Sequence, residues 1–320
     1  MRRPYLVRNW TLTLHAPHAD FLSLTSSPES ADDLIRELLP VLDAAGGSRE
    51  HLDECKTLVR VAEGTVLLQK RFGVFCVSAS GDALAKFRQA GLFGEYLAAL
   101  SAVPHRVTRL DAAFDVVADA PNVIRSTWKR ASAGRISLSR KRVPGENCSK
   151  HVARGIDGRE TGTVYIGKPS AEVRGVQYDK RHEVWCRTGE DIGRLLRTEM
   201  RFKSGCGVTL ADAHSPGPVF WHYASPGLID RPEGVQAWVP RAEGFEMPER
   251  MTFTAAQLMD RKLEGSADIR RLLELAEQMG PLGVDFLCQK LRRMAAWGET
   301  SSPGRSESAE AVLGRPTPLQ

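Results

Sequence analysis

Two carboxylates, Asp111 and Asp115, stand four residues apart in the run Val107 to Val117 (VTRLDAAFDVV), whose β-branched and apolar content is that of a strand. Successive strand side chains point to opposite faces. Arg109, Asp111, Ala113 and Asp115 therefore share one face, while Leu110, Ala112, Phe114 and Val116 take the other. Aspartate is depleted in strands, and two on one face repel each other unless a cation lies between them. The run Leu196 to Lys203 (LRTEMRFK) repeats the pattern, with Arg197, Glu199, Arg201 and Lys203 on one face and Leu196, Met200 and Phe202 on the other. Between these two runs, Val173 to Glu183 (VRGVQYDKRHE) puts Arg174, Val176, Tyr178 and Lys180 on a common face, with Arg181 and His182 adjacent. The chemistry open to such a set is oxygen-ligated capture of a divalent cation next to a phosphate held by basic side chains. Each run also has a plainer reading: a half-exposed strand face, a glutamate in surface ion pairs, a packing tyrosine with its hydroxyl at the rim.

The elements that must position these residues can be read along the chain. Tyr5 to Leu14 (YLVRNWTLTL) reads as an opening strand that ends at the turn-prone His15-Ala-Pro-His18. Ser30 is a candidate N-cap for a helix with Leu34, Ile35, Leu38, Leu39 and Leu42 at helical spacing, stopped by Gly46-Gly47. Thr65 to Ser80 gives two strands around Arg71 to Gly73. Asp82 to Leu100 reads as one helix, and another is expected near Val123 to Ala133. Three strand-like runs follow, Thr161 to Ile166, Val173 to Tyr178 and Leu196 to Lys203, and then an irregular Pro- and Gly-rich stretch from Ser215 to Gly244. This order predicts an α+β domain with a mainly antiparallel central sheet flanked by helices over residues 1–245. A small C-terminal helical region over 246–299 and a disordered tail over 300–320 complete the expected organisation.

At 320 residues with 42% hydrophobic and 26% charged side chains, the composition is that of a folded globular chain. No apolar stretch reaches the ~18 residues of a membrane span, so no membrane partner is expected and the chain is read as intracellular. Six scattered cysteines without a CxxC pair predict reduced thiols, mostly core filler, and no zinc. The formal net charge is +5, but Arg125 to Lys150 carries Arg125, Lys129, Arg130, Arg135, Arg140, Lys141, Arg142 and Lys150 against the single acid Glu146. That imbalance points to a phosphate-rich partner, or else to a solvated basic loop.

Four segments in order carry a resemblance. Ser80-Gly81 leads through a helix to Thr108-Arg109-Leu110-Asp111 and Asp115. Thr163-Val164-Tyr165-Ile166-Gly167 follows, then Tyr178-Asp179-Lys180, then Arg197-Thr198-Glu199-Met200-Arg201-Phe202-Lys203. Over about residues 5 to 210 this order resembles the replication initiation factors of filamentous phages and small Gram-positive rolling-circle plasmids. The resemblance implies an origin-specific nicking and religating enzyme in which Tyr178 attacks a DNA phosphodiester. It places Asp111 and Glu199, with Asp115 as a third, at the family's metal-binding carboxylates, where oxygen ligands favour Mg²⁺ or Mn²⁺. Family members often carry arginine two residues before the tyrosine, whereas Val176 stands there in this chain. Arg174 and Lys180 are then the candidates for phosphate support.

A phenol is a weak nucleophile at neutral pH, so nearby positive charge is expected to favour the phenolate. Attack would leave a 5′-phosphotyrosine and a free 3′-hydroxyl for a host polymerase, with reversal resealing the strand. Expected DNA contacts are Arg125, Lys129, Arg130, Arg140, Lys141, Arg142, Lys150, Arg181, Arg201 and Lys203, made to an unpaired or hairpin origin chiefly through phosphates. The resemblance further implies a bacterial cytoplasmic setting, a host helicase partner and a homodimer. His15 and His18 are read as lying outside any site. Two rivals stand beside this reading: a catalytically silent origin-binding or repressor protein, and a tyrosine recombinase, which would work without metal.

Overall fold

The computed structural model describes residues 16–241 apart from 54, 72 and 140, and beyond them only positions 271, 274, 275, 278 and 280. The chain divides into two compact units, Met1–Pro248 and Glu249–Gln320, and the first is described here. The expected strand at 5–14 and the tail lie outside the described residues, as do the helices expected between 253 and 297 except at 271, 274, 275 and 278, which are helical.

The described part of the unit begins with β1 (His18–Ser26), α1 (Ala31–Ala44), β2 (Ser48–Asp53), β3 (Lys56–Val61), β4 (Gly64–Arg71) and β5 (Val74–Ser80). Then come α2 (Gly81–Gln89), α3 (Phe93–Ser101), β6 (His105–Val116), α4 (Ala120–Ser132), β7 (Ile136–Leu138), β8 (Lys141–Val143), β9 (Cys148–Arg154) and β10 (Glu160–Ile166). It closes with β11 (Val173–Asp179), α5 (Lys180–Thr188), β12 (Leu196–Lys203), α6 (Leu210–His214) and α7 (Gly217–Ala224). Ten strands form one antiparallel sheet in the order β2-β3-β4-β5-β1-β6-β12-β11-β10-β9, and β7 and β8 make a separate hairpin. The α+β architecture with a mainly antiparallel sheet is therefore present.

Strand alternation splits this sheet into an apolar face and a polar one. Leu22, Leu24, Leu110, Ala112, Phe114, Val164, Ile166, Met200 and Phe202 are all buried on the first. Helices cover that face: Phe114 meets Phe220 and Trp221 of α7, Phe202 meets Tyr223, and Thr127 of α4 donates to Gln177 of β11. In α1, Leu34, Leu38 and Leu42 are buried at the expected helical spacing, with Ile35 and Leu39 packed beside them.

Several expectations need correction. The helix read from Asp82 to Leu100 is two helices, α2 and α3, because Gly91 takes a left-handed φ of 72° and breaks the ladder. The stretch from Ser215 to Gly244 is not wholly irregular, since it contains α7. Lys180 does not continue the β11 face: Asp179 accepts from the His182 backbone N–H and caps α5, which begins at Lys180. Among the described cysteines only Cys206 is buried, so the thiols are not mostly core filler.

Candidate active site on the open sheet face

The strand order makes neighbours of β1, β6, β12 and β11, which are remote in sequence, and their registers align the polar residues. Asp111 pairs with Arg201 and Asp115 with Arg197 across β6 and β12. Glu199 faces Val176, Arg197 faces Tyr178 and Arg201 faces Arg174 across β12 and β11. Directly paired residues share a face, so Tyr178, Glu199, Asp111 and Asp115 all lie on the side away from α4 and α7.

The Tyr178 hydroxyl donates to Glu199 Oε1 at 2.7 Å. Arg201 donates to the other oxygen, Glu199 Oε2, from Nη2 at 2.9 Å, and its Nε lies 3.5 Å from Asp111 Oδ2. Arg109 grips Asp111 through two hydrogen bonds of 2.8 and 2.6 Å. Beside them, Arg197 holds Asp115 through bonds of 2.7 and 2.6 Å and reaches Asp20 Oδ1 at 2.7 Å. Four carboxylates, Asp20, Asp111, Asp115 and Glu199, are thus knit together by three guanidiniums. Arg197, Asp111 and Glu199 are nearly inaccessible at 7%, 3% and 3% exposure, which makes each pairing costly to break.

Electrostatics follow from this burial. Glu199 is pushed above the usual carboxylate range by burial and then by the charge of Asp20. Asp111 is raised by burial against the pull of Arg109. Burial and the neighbouring Glu199 raise the Tyr178 phenol, with Arg197 pulling the other way. The expectation of a phenolate favoured by nearby cations is therefore reversed at rest: Tyr178 is a neutral donor. Burial would lower the Arg197 guanidinium, yet its bonds to Asp115 and the charge of Asp20 raise it.

Of the predicted catalytic set, the fold joins Tyr178 directly to Glu199, and Arg201 ties Glu199 to Asp111, whose row in the sheet lies four residues along from that of Tyr178. Asp115 is on the same face, but four residues from Asp111 along β6, roughly 13 Å of strand, with both its oxygens on Arg197. Lys180 Nζ lies 5.9 Å from the Tyr178 ring centroid and pairs with Glu183 at 2.5 Å. Arg174 stacks on Tyr165 with its guanidinium carbon 4.3 Å from the ring centroid, and neither cation bonds to the Tyr178 hydroxyl.

The predicted DNA-contact residues are dispersed. Arg125 and Lys129 are exposed on α4, and Arg130 donates to the Gly227 carbonyl, all on the helix-covered side. Arg142 donates to the Gly134 carbonyl, Lys141 is exposed, and Lys150, paired with Glu160, sits opposite the inward-facing Val164. Arg181 is paired with Asp191, and Arg140 lies outside the described residues. Arg201 and Lys203 lie on the Tyr178 face, Lys203 donating to the Pro169 carbonyl.

Two residues of the site were missed. Asp20 is the extra residue of a β-bulge, since Ala19 pairs with Ala112 and Phe21 with Asp111. The close approach of Gly81 makes room for it, as a side chain there would meet the Asp20 carbonyl and carboxylate. His18 lies beside it, Nε2 to Asp20 Oδ1 at 3.9 Å, so the reading of His18 as remote from the site is overturned. The run HADFLSLTS does alternate as a strand, but no local signal announces the bulge.

Among the described residues, no three His, Cys, Asp or Glu side chains converge as a ready metal site. The pair Asp111 and Glu199, both buried and bridged by a single guanidinium, instead suits the mode in which Mg²⁺ takes one or two carboxylates and completes its shell with water and phosphate oxygens.

No protein-family profile matches this chain, and no curated protein matches it in sequence. Among solved structures it is similar to a rolling circle replication initiator protein from Geobacillus stearothermophilus, with a TM-score of 0.41 and 19% identity over 63% of this chain and 78% of that one. No described helix is long and apolar enough to cross a membrane.

Proposed function

We propose that this chain starts rolling-circle replication by nicking and rejoining one DNA strand at an origin through Tyr178. The observation that carries the reading is the hydrogen bond from the Tyr178 hydroxyl to Glu199, itself held by Arg201 beside buried Asp111 on the sheet face opposite α4 and α7. Glu199 takes the phenolic proton through Oε1 as the Tyr178 oxygen attacks phosphorus in line. The bond from phosphorus to the 3′-oxygen breaks, that oxygen acquires a proton, and a 5′-phosphotyrosine remains. Burial and the charge of Asp20 raise Glu199 above the usual carboxylate range, the direction that strengthens it as a proton acceptor, while burial holds the phenol protonated at rest. Reverse attack by the 3′-hydroxyl reseals the strand without an external energy source.

Asp111 and Glu199 would hold Mg²⁺ or Mn²⁺, which when bound supplies positive charge against the phosphate oxygens. Asp115 is not carried into this ligand set, because Arg197 ties it to Asp20, whereas Arg201 ties Asp111 to Glu199. The single strand crosses the open face, and a host helicase and polymerase use the freed 3′ end. The exposed Arg125, Lys129 and Lys141 are left for flanking duplex.

A second reading, a catalytically silent origin-binding protein, is favoured by one observation: every carboxylate of the site is already neutralised by an arginine. Labelled single strands from the chain's own replicon, incubated with protein and Mg²⁺, separate the two. The enzyme yields a denaturation-resistant adduct and a shortened 3′-hydroxyl product, both lost with EDTA or Tyr178→Phe, whereas a silent binder yields only a reversible complex.

A further inference from the structure

The same sheet face carries a second cluster, which shares Arg201 with the proposed site and adds Arg174, Tyr165 and His151, which that chemistry leaves unused. Arg174 stands directly opposite Arg201 across β11 and β12, a like-charge pairing that is destabilising unless an anion joins it. Arg201 is compensated by Glu199 and Asp111. Arg174 has no carboxylate partner among the described residues, and its Nε is buried without a hydrogen bond. Burial and the facing Arg201 both lower its pKa, as befits a cation short of negative charge. The guanidinium lies over the Tyr165 ring, and His151 of β9 meets the same ring edge-on with centroids 5.3 Å apart. Thr163 pairs with both Tyr178 and His151, so this aromatic pair shares the face of the nucleophile. His151 is exposed and Tyr165 half-buried, which leaves ring surface open to a ligand.

We propose that Arg174, Arg201, Tyr165 and His151 form a nucleotide subsite for single-stranded DNA, offset from the reacting phosphate. A backbone phosphate lies between the two guanidiniums, and its base rests against Tyr165 and His151. Cations tracking a backbone beside stacking rings are the physical means of holding unpaired strands without reading their sequence. Four residues of strand, roughly 13 Å, separate Arg174 from Tyr178, so the subsite grips a neighbouring nucleotide and fixes the direction in which the strand crosses the sheet. The inference rests on the nicking reading for the identity of the strand, but binding at this subsite needs neither metal nor nucleophile.

The test therefore uses the full chain carrying Tyr178→Phe, in EDTA, titrated with fluorescein-labelled oligothymidylate and followed by anisotropy. Arg174→Gln and Tyr165→Leu are each expected to weaken binding about tenfold or more, and Tyr165→Phe to bind within about twofold of the parent. Arg174→Gln should also flatten the salt dependence by about 0.7 in the log–log slope, the loss of one single-strand phosphate contact. Relief of the like-charge pair predicts that Arg174→Gln melts no lower than the parent, which separates lost contact from lost fold. Parent-like binding by both weakened variants overturns the subsite, as does a parent that binds no oligothymidylate. If the wild-type chain nicks while these variants bind normally, the subsite fails and the nicking reading stands. If the variants lose binding but the wild type never forms an adduct, the subsite stands and the chain is a single-strand binder.

Discussion

Helix α4 with the β7–β8 hairpin and the open face of β6, β11 and β12 are both rich in arginine, and they neutralise it in different ways. On α4 and the hairpin, Arg125, Lys129 and Lys141 face water, while Arg130 and Arg142 end on backbone carbonyls. On the open face, Arg109, Arg197 and Arg201 are each locked to buried or half-buried carboxylates, and Arg174 is stacked on a ring. Solvated cations are individually dispensable, because water replaces any partner they lose. Cations that compensate buried acids are not, since removing one leaves an unpaired charge in a poorly hydrated place. The proposed function places the chemistry on the second of these regions, where the cations compensate buried acids.

That contrast can be sharpened or broken by substitution. The largest effect is expected for Glu199→Gln, which keeps the shape and a hydrogen-bonding partner for Tyr178 but cannot accept its proton. The rate of adduct formation should fall about 10²–10⁴-fold with folding intact, and a fall of less than about threefold would remove Glu199 from the chemistry. Next is Arg197→Met, which strands Asp20 and Asp115 without the cation they share. Urea denaturation should show a loss of about 3 kcal/mol, partly restored by Asp115→Asn in the same chain. Smaller still is Gln177→Leu on the covered face. Gln177 accepts from Thr127 at 2.6 Å and donates to Thr198 at 3.1 Å, tying α4 to β11 and β12 beneath Tyr178. Losing both bonds should cost about 1–3 kcal/mol and leave nicking by the folded fraction near normal. The smallest effect is expected for Arg125→Gln with Lys129→Gln: stability within about 0.5 kcal/mol of the parent and unchanged nicking of single strands. If this last pair abolished nicking, the distinction between the two regions would collapse.

Much of this was legible in the sequence. Period-two alternation in β6, β11 and β12 gave which side chains of each strand share a face, and the registers of the sheet then put Asp111, Glu199 and Tyr178 on one side. The helical spacing of Leu34, Leu38 and Leu42 located α1. What stayed hidden depends on pairing between distant strands. That Arg197 would bridge Asp115 to Asp20 follows from the β1–β6–β12 order and from a bulge, neither of which leaves a local trace. The basic stretch from Arg125 to Lys150 hid its own dispersal. Residues close in sequence were carried by α4, a hairpin and the inward side of β9 to places away from Tyr178. Lys180 left the β11 face because Asp179 is a better helix cap than strand residue.

The central claim is that the phenol held by Glu199 is the group that becomes joined to DNA. Wild-type protein trapped on labelled single-stranded origin DNA with Mg²⁺, digested and read by mass spectrometry, tests it most directly. A phosphonucleotide on the peptide containing Tyr178, absent from the Tyr178→Phe protein, is the predicted result, while an adduct on Tyr165 or Tyr223 instead would contradict the account.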